Sequence, residues 1–433
     1  MDNSSSAPRI LIIGGGAGGL PLATRLGNKL GKRGRARITL VDSNNIHVWK
    51  PRFHEVATGS IDSELDALDY RGHARLNYYN FEPGLLTGVD RESKEVILAP
   101  LTDNDNREIL PQRRLGYDHL VLAIGSHGND FNTLGVRQNC LFLDTRAQAD
   151  RFHDRFLNTC LAANFADKPV NIAIVGAGAT GVELAAELHH AVALLHRYGH
   201  QQLNRQRLHV HLIEAGPRIL PPLPERVSSA AHHRLEELGV TVHTGTKVTE
   251  ARADGFLTAD GTYISADLLV WAAGIQAPAM LATLGLETNR INQLVVEHTL
   301  QAKGESNIWA MGDCASFVPT PGDRPLPPRA QTAQQMASLL AVNFQRLLDG
   351  KALLPFRYRD RGSLVSLSKY SSVGSLMGNL KGGQWFIEGW IARSMYISLY
   401  RLHQVALYGW PRTLLLLVMG RFNRLVRPRL KLH

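Results

Sequence analysis

An α/β fold with two Rossmann-like units and a C-terminal amphipathic helical region is what this sequence predicts, on three observations. Two glycine clusters, Gly14-Gly15-Gly16-Ala17-Gly18-Gly19 and Gly176-Ala177-Gly178-Ala179-Thr180-Gly181, each follow an apolar run, Ile10–Ile13 and Ile172–Val175. Each cluster is followed further along by an apolar strand that runs into glycine, Tyr117–Gly125 after the first and Ala266–Gly274 after the second. A repeated order of strand, glycine turn, helix and returning strand marks a duplicated, doubly wound unit. From Gly389 to the end, Arg393, Arg401, Arg412, Arg421, Arg424, Arg427, Arg429 and Lys431 are interleaved with apolar residues, and no acidic residue occurs.

Taken in order, the first cluster predicts a dinucleotide site. Gly14 permits a tight strand-to-helix turn, Gly16 lets a pyrophosphate approach the backbone, and Gly19 lets the helix pack on the strand. N–H groups at the helix start then hold the phosphates. Arg37–Val41 reads as the next strand, ending at Asp42, where a carboxylate can accept hydrogen bonds from a ribose hydroxyl. The returning strand ends at Gly125. In the second unit Gly176, Gly178 and Gly181 repeat the three glycine roles, Leu208–Ile213 ends at Glu214, and the return ends at Gly274. Glu214 would bind a ribose diol and repel a 2′-phosphate, which favours NADH over NADPH. The long spacing from Gly181 to Glu214 calls for an extended helix and loop, and Arg218 lies near enough to keep NADPH in view.

Asn307–Asp313 reads as a short strand ending in Gly-Asp, as in flavoproteins of the two-dinucleotide type. Asp313 is therefore expected to bond to the ribitol chain of FAD, and the chain to return to its first unit. The expected organisation is a two-dinucleotide-binding flavoprotein: a discontinuous FAD domain (1–135 and 290–350), an inserted NADH domain (136–289), and a C-terminal region (351–433) that docks on membrane from about residue 391.

Composition narrows the function. At 433 residues with 44% hydrophobic content, the chain is long enough for two or three domains with sizeable cores. Met1–Pro8 is short and polar, without room for a signal peptide, so a cytoplasmic location is expected. Cys140, Cys160 and Cys314 are far apart and form no CxxC, which argues against a disulfide framework and a metal site. The formal charge of +10 is concentrated in the tail, where the apolar interleaving favours an anionic lipid surface over nucleic acid.

With these features in place, the sequence resembles a type II NADH dehydrogenase, the single-subunit NADH:quinone oxidoreductase of bacterial membranes. Lys50-Pro51-Arg52-Phe53-His54-Glu55-Val56-Ala57-Thr58-Gly59 is similar to the family segment beside the flavin, which implies a cofactor contact for Lys50. Disulfide-reductase relatives carry a redox cysteine pair there and this chain has none. Ala330-Gln331-Thr332-Ala333-Gln334-Gln335 resembles the family's AQxAxQ motif, which implies that Gln331 and Gln335 border the flavin ring and the quinone site. Gln334 stands where some relatives have His, so a proton-donating role at that position does not carry over. Read without the family, these glutamines are surface positions at a helix start. The resemblance also implies that Glu183 lies near nicotinamide and flavin and is linked to proton uptake. The residues alone equally allow an acid in the first helical turn, stabilised by the helix dipole. Tyr358–Leu364 is similar to the family's C-terminal segment, and otherwise reads as a turn entering a strand. His189-His190 and His232-His233 lack complementary ligands and read as helix-surface residues.

No apolar run reaches the roughly 18 to 20 residues that span a bilayer. From Ile391 to Gly409, however, Ile391, Met395, Leu399, Leu402 and Ala406 recur at helical spacing opposite Arg393, Arg401 and Gln404. This predicts a peripheral, monotopic enzyme on the cytoplasmic face of the bacterial inner membrane, passing electrons from NADH through FAD to membrane quinone without proton pumping. A homodimer is compatible with the sequence. The alternatives are a sulfide:quinone oxidoreductase, which needs cysteines at the flavin, and a flavin-binding membrane scaffold or redox sensor.

Overall fold

The computed structural model describes residues 7–64, 67–103, 105–368, 371–377, 384–426 and 430–431. In chain order, the first elements that position the site are β1 (Arg9–Ile13), α1 (Gly19–Lys29), β2 (Arg37–Asp42), α2 (Phe53–Ala57), β3 (Asn80–Pro83) and β4 (His119–Leu122). They are followed by α3 (Arg146–Ala166), β5 (Val170–Val175), α4 (Ala179–Arg197), β6 (Leu208–Ile213) and β7 (Val240–His243). The last are β8 (Leu268–Trp271), β9 (Ile308–Ala310), α5 (Ala330–Leu348), β10 (Ser363–Leu367) and α6 (Gly389–Val426). The polar stretch Met1–Ser6 lies outside the described residues.

The chain divides into two compact units, the first made of Met1–Trp49, Ala67–His127 and Ile275–Arg359. The second comprises Lys50–Asp66, Gly128–Gly274 and Asp360–His433. The chain thus leaves and re-enters the first unit somewhat earlier than the expected 135 and 290, and both the Lys50–Asp66 segment and the C-terminal region group with the second unit.

The first unit is built on a five-stranded parallel sheet in the order β3-β2-β1-β4-β9. After Arg9 its central strand is apolar, with Ile10, Leu11, Ile12 and Ile13 all buried. A parallel strand covered on both faces reads as such a continuous run rather than as an alternation. The strand order reverses at β1, so the carboxyl ends of β1 and β4 flank a switch-point crevice of the kind that holds ligands in open α/β sheets. A three-stranded antiparallel sheet (Leu86–Asp90, Glu95–Leu98, Arg113–Gly116) completes the unit.

The second unit repeats the plan with a four-stranded parallel sheet, β7-β6-β5-β8, reversing at β5. Val175, Ile213, Leu269, Trp271 and Phe256 form its packed core, and the Trp271 Nε1–H donates to the Asn129 carbonyl at 2.8 Å. Helix α4 has 19 residues against 11 in α1 and is followed by a longer loop, which together account for the long interval between Gly181 and Glu214. Helix α3 starts in a reciprocal cap. The Thr145 hydroxyl accepts from the Gln148 N–H, and Gln148 Oε1 accepts from the Thr145 N–H, both at 3.2 Å.

Helix α6 is two helical segments that meet at Gly409 (φ 75°, ψ 168°), with Pro411 just beyond. A left-handed residue followed by proline breaks the ladder, because proline has no N–H and restricts the residue before it. Ala392, His403 and Leu407 are buried in a stripe at helical spacing, whereas Ile397 and Leu402 are exposed. Leu402, from the stripe expected to meet lipid, lies on the outer side. Beyond the kink, Trp410 and Leu414–Met419 are exposed in series. The side chains of Ile391, Arg393, Leu399, Arg421 and Arg424, together with residues Arg427 and Arg429, lie outside the described structure. Among the described residues, no helix is long and apolar enough to cross a membrane.

The histidine pairs divide. His232 and His233 lie toward the surface of their helix, as expected, but His189 and His190 are buried. Helix α4 is covered on nearly every side, so its histidines are held inside by packing around the whole cylinder rather than by their own polarity.

Candidate functional site

In the first unit the glycine turn closes where β1 and β4 diverge. Gly14 takes φ +101°, and a Cβ there would lie 2.3 Å from the Ala123 carbonyl oxygen. A Cβ on Gly19 would lie 1.8 Å from the Gly14 carbonyl oxygen, so only glycine lets α1 pack this closely on the turn. Nothing lies within 4 Å of a Cβ built on Gly16, which leaves the backbone open to a ligand. Helix α1 has Gly18 as its N-cap, with no side chain bonding to its first turn. Its N–H groups and positive dipole end therefore suit an anion.

Asp42, at the end of β2, is tied to the glycine turn. Its Oδ2 accepts from the Gly15 N–H at 2.7 Å, and its Oδ1 accepts from the Asn44 N–H at 2.8 Å. The carboxylate thus clamps the glycine turn and retains lone pairs for a ribose hydroxyl. The Tyr70 hydroxyl donates to the Gly15 carbonyl at 2.8 Å, so the turn is held from a second side. Asp313 lies in a short 3-10 turn after β9 and accepts from the Ser126 hydroxyl at 2.9 Å, one residue beyond Gly125. These groups fit a flavin dinucleotide: an open glycine turn at a helix start, a sugar-binding carboxylate, and a second carboxylate beside the returning strand. Lys50 belongs to the second unit, where its ammonium pairs with Asp144 at 3.6 Å and stays partly exposed.

The second unit repeats the carboxylate clamp on its own glycine turn. Gly176 has φ +102°, and a Cβ on Gly181 would lie 2.0 Å from the Gly176 carbonyl oxygen, while Gly178 is open. Glu214 Oε2 accepts from the Ala177 N–H at 2.9 Å, and its Oε1 accepts from the Gly216 N–H at 2.8 Å. Gly274 carries φ +64°, and the Phe131 ring stands where its Cβ would be, 2.4 Å away. The Arg218 guanidinium donates to the carbonyls of Leu223 at 2.9 Å and Pro221 at 2.7 Å. The cation that kept NADPH in view is committed to its own backbone.

Gln335, in the second turn of α5, grips the main chain of Arg359 in both directions. Its Nε2 donates to the Arg359 carbonyl at 2.9 Å, and its Oε1 accepts from the Arg359 N–H at 3.0 Å. Gln331, one turn earlier, is partly buried. Neither glutamine is a plain surface residue.

Glu183 departs from the first-turn reading. Because α4 begins at Ala179, Glu183 is its fifth residue and lies past the turn in which the helix dipole acts. It is buried, and its Oε1 accepts from the Ser366 N–H at 3.0 Å. Its Oε2 lies 3.4 Å from Nδ1 of His54, which projects from α2. Burial, opposed by the Ser366 bond and reinforced by Glu55 and Glu187, pushes the Glu183 carboxyl up to about 8. Burial holds His54 down to about 4, so both groups are uncharged at neutral pH.

Three residues of this cluster escaped the sequence reading. His54 lies in the recognised Lys50–Gly59 segment, Glu55 follows it, and Glu187 stands one helical turn beyond Glu183. Glu187 is buried and accepts from the Ser60 hydroxyl. The available signal was the i, i+4 pair of glutamates in the apolar first half of the helix.

The three cysteines are free thiols. Burial pushes Cys140 and Cys160 up to about 12 and Cys314 up to about 11. None is a ready thiolate at neutral pH.

Two switch-point turns, each clamped by a carboxylate, define a two-dinucleotide oxidoreductase. Residues 8–337 match the pyridine nucleotide-disulphide oxidoreductase family. The type II NADH:quinone oxidoreductase of Haemophilus influenzae is 46% identical over 98% of this chain and 99% of its own length. That of Staphylococcus aureus is 28% identical over 87% of this chain and 91% of its own. The chain belongs to the type II NADH:quinone oxidoreductases. In fold it is similar to NDH2 from Plasmodium falciparum in complex with NADH (TM-score 0.78, 19% identity, 94% of this chain and 99% of that one). It is also similar in fold to the sulfide:quinone oxidoreductase of Aquifex aeolicus (TM-score 0.73, 18% identity, 93% of this chain and 92% of that one).

Proposed function

We propose that this chain oxidises NADH and reduces a membrane quinone with FAD as its resident carrier, and that the two clamped turns divide the nucleotides between the units. The observation that carries this reading is 46% identity, over nearly the full length, to a type II NADH:quinone oxidoreductase, joined to a duplicated glycine turn clamped by a carboxylate. FAD, when bound, supplies the two-electron exchange between nicotinamide and quinone.

Gly14, Gly16, Gly19, Asp42, Gly125 and Asp313 hold FAD. Gly176, Gly178, Gly181, Glu214 and Gly274 hold NADH. Glu214 repels a 2′-phosphate, and Arg218 is not free to attract one, so NADH is preferred over NADPH. Gln331 and Gln335 border the quinone site, Gln335 by fixing the backbone of Arg359. Glu183 holds a proton for quinone reduction.

The enzyme is membrane-associated. Its quinone is dissolved in lipid, and α6 offers a lipid surface Trp410 and the exposed run Leu414–Met419, with Arg412 between them. We place this docking on the cytoplasmic leaflet, with anionic lipid attracted by the basic tail. Sulfide chemistry is not favoured, because the buried thiols are not poised to attack sulfur.

The test is an anaerobic stopped-flow trace of the flavin band on mixing with NADH and then with a short-chain ubiquinone. Bleaching followed by recovery is expected. Bleaching without recovery would remove quinone as the acceptor, and no bleaching would remove the enzyme reading altogether.

A further inference from the structure

Beside the glycine turn of the second unit stands an aromatic side chain that takes no part in the carboxylate clamp. Asp130–Thr133 closes a tight turn, in which the Thr133 N–H donates to the Asp130 carbonyl at 2.9 Å. Its two central residues are both left-handed, Phe131 at φ 50° and Asn132 at φ 54°. Turns of that pattern are filled by Asn, Asp and Gly, which tolerate it. Asn132 fits. A phenylalanine in this conformation is sterically penalised, so the surrounding loop must hold it there.

Four contacts do so. The Asn129 side-chain oxygen accepts from the Phe131 N–H at 2.9 Å, and Asp130 Oδ1 accepts from the Asn132 N–H at 3.1 Å. Asp130 is buried and pairs with Arg137, while the Asn129 carbonyl accepts from Nε1–H of Trp271, the last residue of β8. All this effort displays a ring that stays 60% exposed, so burial in the core does not explain its place. The ring rests on Gly274, its Cζ lying 2.4 Å from where a Cβ would stand. Gly274 follows β8 and Glu214 follows β6, and these strands are the two neighbours of β5, whose glycine turn lies between them. Two strand spacings, about 10 Å, separate the flanks. A dinucleotide whose adenosine ribose meets Glu214 and whose pyrophosphate meets the start of α4 extends its nicotinamide half across the switch point toward β8. The aromatic ring at that end is Phe131.

We propose that Phe131 presents an aromatic face on which the nicotinamide ring of NADH stacks, and that the strained turn holds it ready for this. The proposal rests on the reading of the second unit as the NADH cradle and adds the group that recognises the nicotinamide end. Nicotinamide is a flat ring with two faces. One must stay open for hydride transfer, and the other is left for protein to cover. An aromatic face covers it by offset stacking and leaves no polar group unpaired. The same face attracts the positively charged ring of NAD+. An aliphatic side chain would cover the area without either effect.

Calorimetric titration of the oxidised holoenzyme with NAD+ and with ADP-ribose, the same dinucleotide without its nicotinamide, tests this. In Phe131→Ala, NAD+ should bind about three- to ten-fold more weakly, the worth of one aromatic pair, while ADP-ribose binds as it does to the wild type. Phe131→Tyr should keep wild-type NAD+ binding and Phe131→Leu should not, which separates stacking from simple cover of Gly274. The KM for NADH with ferricyanide should follow the same order. Equal weakening of both ligands in Phe131→Ala overturns the proposal, as does unchanged NAD+ binding, or wild-type NAD+ binding in Phe131→Leu. The Tyr and Leu variants decide even if Phe131→Ala does not fold. Glu214→Ala, titrated alongside, should weaken both ligands. If it weakens neither, the NADH reading of this unit has failed, an outcome distinct from a failure at Phe131 alone.

Discussion

Removing the apolar series beyond the α6 kink should release the enzyme from lipid while leaving its NADH oxidation intact. Leu414 and Leu415 are 63% and 59% exposed, although each could bury its side chain in hydrocarbon. Full burial of a leucine contributes about 1.5–3 kcal/mol, so completing the burial of these two side chains gains roughly 2–4 kcal/mol of membrane affinity. The double variant Leu414→Gln, Leu415→Gln should therefore bind phosphatidylcholine/phosphatidylglycerol vesicles roughly 30- to several-hundred-fold more weakly in a sedimentation assay. Glutamine adds no charge, so the loss reports apolar insertion alone. Ferricyanide reduction by NADH, which needs no lipid, should be unchanged. Co-sedimentation of the double variant at wild-type lipid concentrations would refute the reasoning and assign attachment to the basic residues or to another surface.

Four further outcomes follow from the site. Gly19→Ala sets a methyl 1.8 Å from the Gly14 carbonyl oxygen and should give protein purified without flavin, seen as a loss of the flavin-to-protein absorbance ratio. Glu214→Ala removes the acceptor for two backbone N–H groups, a loss of about 1.5–3 kcal/mol that should raise the KM for NADH by roughly ten- to a hundred-fold, measured with ferricyanide. Gln335→Ala frees Arg359, so trypsin should cut faster at Arg357, Arg359 or Arg361, and an unchanged cleavage rate would argue that the clamp is dispensable. Glu183 is raised to about 8 when folded, so between its ordinary value and about 8 the folded state binds more protons than the unfolded one, and stability falls as pH rises. His54, held down to about 4, acts oppositely at lower pH. Denaturant unfolding from pH 6.5 to 8 should therefore show a downward slope in the wild type that flattens in Glu183→Gln.

Much of the fold was legible because the residues that make it are locally constrained. Gly14 and Gly176 are required by positive φ, Gly19 and Gly181 by sub-van-der-Waals approach, and the central strands are apolar on both faces. Such demands leave a mark at fixed spacing. Asp42 and Glu214 were legible as strand-end acids, but their grip on the glycine turn depends on a third dimension that spacing does not carry. In α6 the sequence shows an apolar stripe, but periodicity cannot tell a core stripe from a lipid stripe: Leu402 is outward while Leu407, off the stripe, is buried. His189 and His190 look polar in sequence and are buried because α4 is enclosed. The His54 and Glu183 contact joins residues 129 positions apart in the chain, and neither residue alone departs from an ordinary helix.

The doubled carboxylate clamp bears on how this enzyme could change its coenzyme. In many nucleotide sites the acid that meets the ribose is a bystander to the backbone, and swapping it for a small or basic residue alters preference with little else disturbed. Here Glu214 is also the keystone of the glycine turn proposed to receive the pyrophosphate, tied to Ala177 and Gly216 at once. Substituting it to admit a phosphorylated ribose would slacken the phosphate cradle in the same stroke. A lineage moving toward NADPH would first have to rebuild the loop from Glu214 to Leu223 and free Arg218 from its own carbonyls, which makes coenzyme choice in this chain a property of loop architecture and slow to drift.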